Sequence, residues 1–181
     1  VTDGDLADDD EIETMAATVR AAAGLEEDAV CGNSIRAAER LGCLVLPMSQ
    51  ELGKHLGMSM RVDGTPIICA SRPSNDSDHR VPGDRQRFTI AHEIGHLALH
   101  GNIPAPRDAA EAARIERQAH QFAGAFLAPG DVMIEELKDL GGRVTLKTLS
   151  EIKRRWGISI KALVMRFQVL GVIDQDQARL L

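Results

Sequence analysis

Residues 87–100 read RFTIAHEIGHLALH, and within them His92, Glu93 and His96 fall in the spacing H-E-x-x-H. At 3.6 residues per helical turn, His92 and His96 lie one turn apart on one face, so two imidazoles can hold a single zinc ion. Glu93 lies beside them, a carboxylate placed to exchange a proton with water at the metal. A solvated polar face is the competing reading, but Phe88, Ile90, Ala91, Ile94, Leu97, Ala98 and Leu99 make this one of the most apolar helices in the chain. Polar groups on a buried helix need partners, and a metal supplies them.

A zinc hydrolase needs a third protein ligand and one open position. The extended pattern H-E-x-x-H-x-x-G-x-x-H is excluded, because Leu99 and Asn102 stand where it requires glycine and histidine. A second helix over 108–128, with Asp108 as N-cap and Pro129 as stop, offers the alternative. Its apolar stripe is Ile115, Ala119, Phe122, Ala123 and Phe126, and Glu116 and His120 sit beside that stripe, one turn apart. Glu116 follows His96 by 20 residues, with Gly101, Pro104 and Pro106 between them to turn the chain. Glu116 is therefore the expected third ligand. His120 is its rival; its other role would be to orient a ligand or donate a hydrogen bond to an oxyanion. Asp108 and Glu111 are weaker rivals for the same place. His100 continues the series but lies about 12 Å along the axis from His92, too far to share one ion, and is expected to meet the last carbonyls of its helix. His55 and His79 carry no motif and read as surface residues.

The elements that must position these groups can be read in outline. Apolar spacing from Ile12 predicts a helix over 8–23, and Ser34 reads as the N-cap of a helix ending at Gly42. Cys43 to Leu46 reads as a short buried strand stopped by Pro47, and residues 48–57 as a short helix. Met58 to Val62 and Pro66 to Ala70 flank the turn Asp63-Gly64-Thr65, so a small, mostly antiparallel three-stranded sheet is expected. Residues 71–84 read as an exposed loop, with Asp84 capping the motif helix. Two short helices, 145–156 and 159–170, joined around Gly157 with Ser159 as a cap, end the chain. The fold class is α+β, divided into an acidic, disordered segment 1–13, a body over 14–140 and a C-terminal helical segment over 141–181.

Composition narrows the function. No apolar run approaches the roughly 20 residues of a membrane helix, and the N-terminus is acidic, so a soluble, cytoplasmic protein without membrane partners is expected. Cys31, Cys43 and Cys69 lack C-x-x-C spacing and read as buried thiols. With four Phe, one Trp and no Tyr, stacking platforms for single-stranded nucleic acid or sugars are not expected. Residues 141–181 hold eight Lys and Arg against three Asp and Glu, a balance of +5 that leaves −11 of the total −6 on residues 1–140. That basic segment resembles a helix-turn-helix, yet Leu146, Leu149, Ile152, Trp156, Ile160, Leu163, Val164 and Phe167 suit packing on a neighbouring core. Direct DNA binding is disfavoured.

The run RFTIAHEIGHLALH, followed by E-x-x-A-x-x-F-A-x-x-x-L-x-P at Glu116, Ala119, Phe122, Ala123, Leu127 and Pro129, resembles the ImmA/IrrE family of metallopeptidases. The resemblance covers most of residues 15–173. It implies a gluzincin-like zinc site on two helices against a small three-stranded sheet, with His92, His96 and Glu116 as metal ligands and Glu93 as catalytic acid and base. It also implies an endopeptidase that cuts a helix-turn-helix repressor in stress, mobile-element or toxin–antitoxin settings. Many members carry their own N-terminal helix-turn-helix domain; this chain has no room for one, so a separate repressor is expected. Two departures stand out: Gln118-Ala119 replaces the usual Glu-Ala, and His120 replaces an Asn or Asp. For the oxyanion, His120, His79, Arg87 and edge-strand backbone are the candidates. The rival function is a metal-dependent regulator that binds a transcription factor or DNA without cutting it.

Overall fold

The computed structural model describes residues 7–48, 56–72 and 82–181. Eight helices and three strands lie among them, in the order α1 (Asp9–Ala22), α2 (Ser34–Arg40), β1 (Leu44–Met48), β2 (Gly57–Val62), β3 (Thr65–Ser71), α3 (Gly83–Leu99), α4 (Ala109–Leu127), α5 (Gly130–Asp139), α6 (Leu146–Trp156), α7 (Ile160–Val169) and α8 (Gln175–Arg179). This is the expected α+β architecture, with helices packed on a small sheet. Both ends of the helix expected over 48–57 are strand instead, Met48 closing β1 and Gly57 opening β2; residues 49–55 between them, most of the 71–84 loop, His55 and His79 lie outside the described residues.

The sheet order is β1-β3-β2. The hairpin expected at Asp63-Gly64 forms, with Val62 opposite Thr65, Met60 opposite Ile67 and Met58 opposite Cys69. Asp63 and Gly64 take φ values of 48° and 80°, the left-handed pair that a tight two-residue turn requires. β1 pairs parallel to β3, Leu44 opposite Ile67 and Leu46 opposite Cys69, so the sheet combines one antiparallel and one parallel pairing. β1 is an edge, which corrects two expectations: Leu44 and Leu46 are about half exposed rather than buried, and Pro47 sits inside the strand, where an edge tolerates its missing N–H. The opposite face, carrying Ile68, packs towards α3.

Helix entry follows local chemistry, with corrections at three ends. Asp8 and Glu11 form a reciprocal capping box, so Asp9 to Glu13 of the acidic segment expected to be disordered belong to α1; their charges suit the positive end of a helix. Asn33, one residue before the expected Ser34, caps α2 by accepting from Arg36 N at 3.0 Å, while Ser34 is buried beside Cys31. Asp84 does not cap α3: the helix starts at Gly83 after Pro82, and Asp84 Oδ1 accepts from the N–H of its neighbour Arg85. Asp108, Thr145 and Ser159 cap α4, α6 and α7 through their side chains.

One core runs through the molecule, joining Ile12 of α1, Ile68 of β3, Ile90 and Ile94 of α3, Phe122 and Phe126 of α4 and Leu149, Trp156, Leu163 and Phe167 of α6 and α7. Two buried arginines tie α1 and α7 to the end of α4, whose last carbonyls have no helical partner. Arg20 donates to the Phe126 and Ala29 carbonyls at 2.6 and 2.7 Å. Arg166 donates to the Ala128 carbonyl at 2.8 Å and grips the Glu13 carboxylate through both terminal nitrogens. No described helix is long and apolar enough to cross a membrane.

Candidate metal centre

α3 and α4 lie side by side and carry the site between them. Near their crossing stands Gly95, the second variable residue of H-E-x-x-H, where a Cβ would lie 2.9 Å from Phe122 Cδ1. That close approach brings Glu116 over the histidine pair. His92 Nε2 is 3.0 Å from His96 Nε2, Glu116 Oε2 is 3.3 Å from His92 Nε2, and Glu116 Oε1 is 3.4 Å from His96 Nε2. Donors bound tetrahedrally at about 2.0–2.1 Å stand about 3.3 Å apart, so these spacings are compatible with one ion held by both imidazoles and the Glu116 carboxylate. Two imidazole nitrogens and a carboxylate gathered at these distances form a donor set that could hold a cation. His92, His96 and Glu116 are also the only group of three or more such side chains, among the described residues, with ligand atoms all within 4.8 Å of one another.

Electrostatics keeps the imidazoles in the form a metal needs. Burial, reinforced by His120, His96 and His100 nearby, pushes His92 down to about 3. Burial also lowers His96 and His100, against a partial opposing pull from Glu116. All three are then neutral near pH 7, with a lone pair available. Among the described residues, His92 Nδ1 is buried with no hydrogen-bond partner.

Glu93 is buried at the base of a cleft of about 680 Å³ whose opposite wall is β2. Ser59 of β2 donates to Glu93 Oε2 at 2.7 Å. Two residues earlier, Gly57 is obligatory: a Cβ there would lie 2.5 Å from Thr89 Cγ2 and 3.0 Å from Glu93 Oε1. Neither contact has a signature in the sequence, because nothing local ties a strand residue to a helix more than 30 positions away.

The remaining candidates divide. His120 lies on the cleft with its ring edge-on to His92, centroids 4.4 Å apart, and its Nδ1 sits 2.8 Å from the Glu116 carbonyl. Arg87 points away: it donates to the Gly157 carbonyl and lines a separate hollow beside Asn33 and Ser34, which removes it as an oxyanion donor. His100 does not meet the final carbonyls of α3; its ring lies between His96 and Gln118. Asp108 and Glu111 are taken up by helix capping and by Arg107, away from the histidines.

A histidine pair one turn apart and a glutamate from the next helix, beside a three-stranded sheet, make a candidate metal centre. The chain belongs to the peptidase M78 family, whose model, described as the IrrE N-terminal-like domain, matches residues 38–168. It is 37% identical over 83 residues to the radiation response metalloprotease IrrE of Deinococcus radiodurans, an alignment covering 42% of this chain and 25% of that protein. Its fold is similar to that of a Mycobacterium tuberculosis transcriptional regulator, with TM-score 0.59 and 17% identity, covering 87% of this chain and 46% of the other. The chain thus spans a quarter of the curated relative and about half of the solved one.

Proposed function

We propose that the chain is a zinc-dependent endopeptidase that cuts a separate helix-turn-helix repressor and so releases the genes it controls. The observation that carries the reading is the convergence of His92, His96 and Glu116 beside a buried Glu93, on a cleft walled by an edge strand. The family assignment and the metalloprotease IrrE relative support it. Zinc held by these three residues would lower the pKa of a bound water and polarise a peptide carbonyl. Glu93, with Oε2 fixed by Ser59, takes the water proton and delivers it to the leaving amine. His120 donates Nδ1–H to the Glu116 carbonyl, so its Nε2 faces the cleft as an acceptor and serves an oxyanion only when the ring carries a second proton. An extended substrate can add to the edge of β2 away from β3, main-chain hydrogen bonds giving affinity and side-chain pockets giving specificity.

The rival, a metal-dependent regulator that binds without cutting, uses the same ligands but not Glu93. N-terminal peptide profiling of host lysate incubated with the zinc-loaded chain or with Glu93→Gln separates them. New N-termini inside a helix-turn-helix protein, produced by the wild type alone, are the expected result. Release of a promoter by Glu93→Gln with no new termini from either protein would favour the binder.

A further inference from the structure

His100 stands between the candidate ligand His96 and Gln118 of α4, with 3.1 Å from His96 Nδ1 to His100 Nδ1 and 3.0 Å from His100 Nε2 to Gln118 Oε1. Gln118 is buried, and its Nε2 ends on the backbone carbonyl of Ala7, just ahead of α1, at 2.5 Å. A carbonyl only accepts, and that fixes every proton in the row. Gln118 must turn its NH2 to Ala7 and its oxygen to His100, so His100 carries its hydrogen on Nε2. The Nδ1 of the neutral His100 ring is then a lone pair, and His96 Nδ1 must donate to it. His96 Nε2 is left bare, facing His92 Nε2 and Glu116 Oε1.

We infer that His100 and Gln118 are positioning residues that hold His96 in its Nε2-ligating tautomer, anchored on the Ala7 carbonyl. The inference rests on the reading of His92, His96 and Glu116 as zinc ligands. It gives a task to the Gln118 departure from the family pattern: an amide, unlike a carboxylate, can also donate to Ala7 and tie the start of α1 to the metal centre. Among the described residues nothing supports His92 in this way, its Nδ1 being buried without a partner there, whereas the row through His100 and Gln118 orients the His96 ring. Outer hydrogen bonds of this kind change metal affinity by about 10- to 100-fold.

The test is zinc affinity of the full chain by competition with a chromophoric chelator, in wild type, Gln118→Leu and Gln118→Glu, with circular dichroism to confirm folding. Gln118→Leu is expected to bind zinc about 10- to 100-fold more weakly. Gln118→Glu keeps an acceptor for His100 Nε2–H but loses the donor to the Ala7 carbonyl, so it is expected to bind zinc more tightly than Gln118→Leu and no more tightly than wild type. A packing role predicts the reverse order, leucine tolerated and buried glutamate harmful, and that result overturns the inference. Equal affinity in wild type and Gln118→Leu overturns it while sparing the zinc site; no zinc in wild type overturns both. Should Gln118→Leu fail to fold, ¹⁵N NMR of the zinc-loaded wild type decides: His100 as the Nε2–H tautomer supports the relay, and Nδ1–H overturns it.

Discussion

Gly95 lies against Phe122 near the crossing of α3 and α4, so closely that a Cβ on Gly95 would stand 2.9 Å from Phe122 Cδ1 and 3.1 Å from Phe122 Cβ. Phe122 is fully buried and has no room to withdraw. Gly95→Val therefore forces the helices apart, at about 1–3 kcal/mol for overpacking. The same displacement lifts Glu116 from the histidines. Chemical denaturation should show the loss of stability, and zinc titration a weaker site; a variant as stable and as tight as wild type would contradict the close-approach account.

Ser59 donates to Glu93, which is not one of the three candidate ligands. Ser59→Ala should leave zinc content unchanged and lower kcat with little change in KM. A hydrogen bond to a charged group is worth about 1.5–3 kcal/mol, so roughly tenfold is the least loss expected. Steady-state kinetics on the protein identified by peptide profiling checks this. A loss confined to KM would place Ser59 in substrate binding instead.

Acid should destabilise the metal-free chain through His92. An unfolded chain binds that proton near pH 6.5, whereas the folded one resists until about 3. Between those values the unfolded state holds more protons, so stability falls as pH falls through this window. At about pH 5 the His92 contribution is about 2 kcal/mol relative to pH 7. The lowered His96 and His100 act in the same direction. Urea midpoints of the zinc-free protein across this range test it, with His92→Phe expected to flatten the dependence.

Arg166 is almost wholly buried and is gripped by Glu13 across two helices. Among the described residues, Glu13→Ala leaves that guanidinium with the Ala128 carbonyl and should cost less than the about 3–5 kcal/mol of a fully buried pair, since the Glu13 side chain is one-third exposed. A thermal melt within error of wild type would show that water replaces the carboxylate.

The motif helix, its partner helix and the hairpin were legible because each has a local signature: H-E-x-x-H at helical spacing, Asp108 as a cap, and Asp63-Gly64 at a turn. Glu116 was legible because it lies one turn before His120 beside an apolar stripe. Ser59, Gly57 and the row from His96 through His100 and Gln118 to Ala7 were not, since they depend on contacts between elements distant in sequence. The edge position of β1 was missed for a related reason: C-L-V-L reads as buried wherever it lies, and only the pairing order decides that Leu44 and Leu46 face outward. Asp84 failed as a cap because Gly83 already has helical geometry after Pro82.

Elemental analysis of protein purified without chelators tests the central claim most directly, comparing wild type, Glu93→Gln and Glu116→Ala. The account predicts about one zinc per chain in wild type and Glu93→Gln, and loss of most of it in Glu116→Ala, since three ligands from two helices form the site. Zinc absent from wild type even after addition, or equally retained in Glu116→Ala, would contradict it.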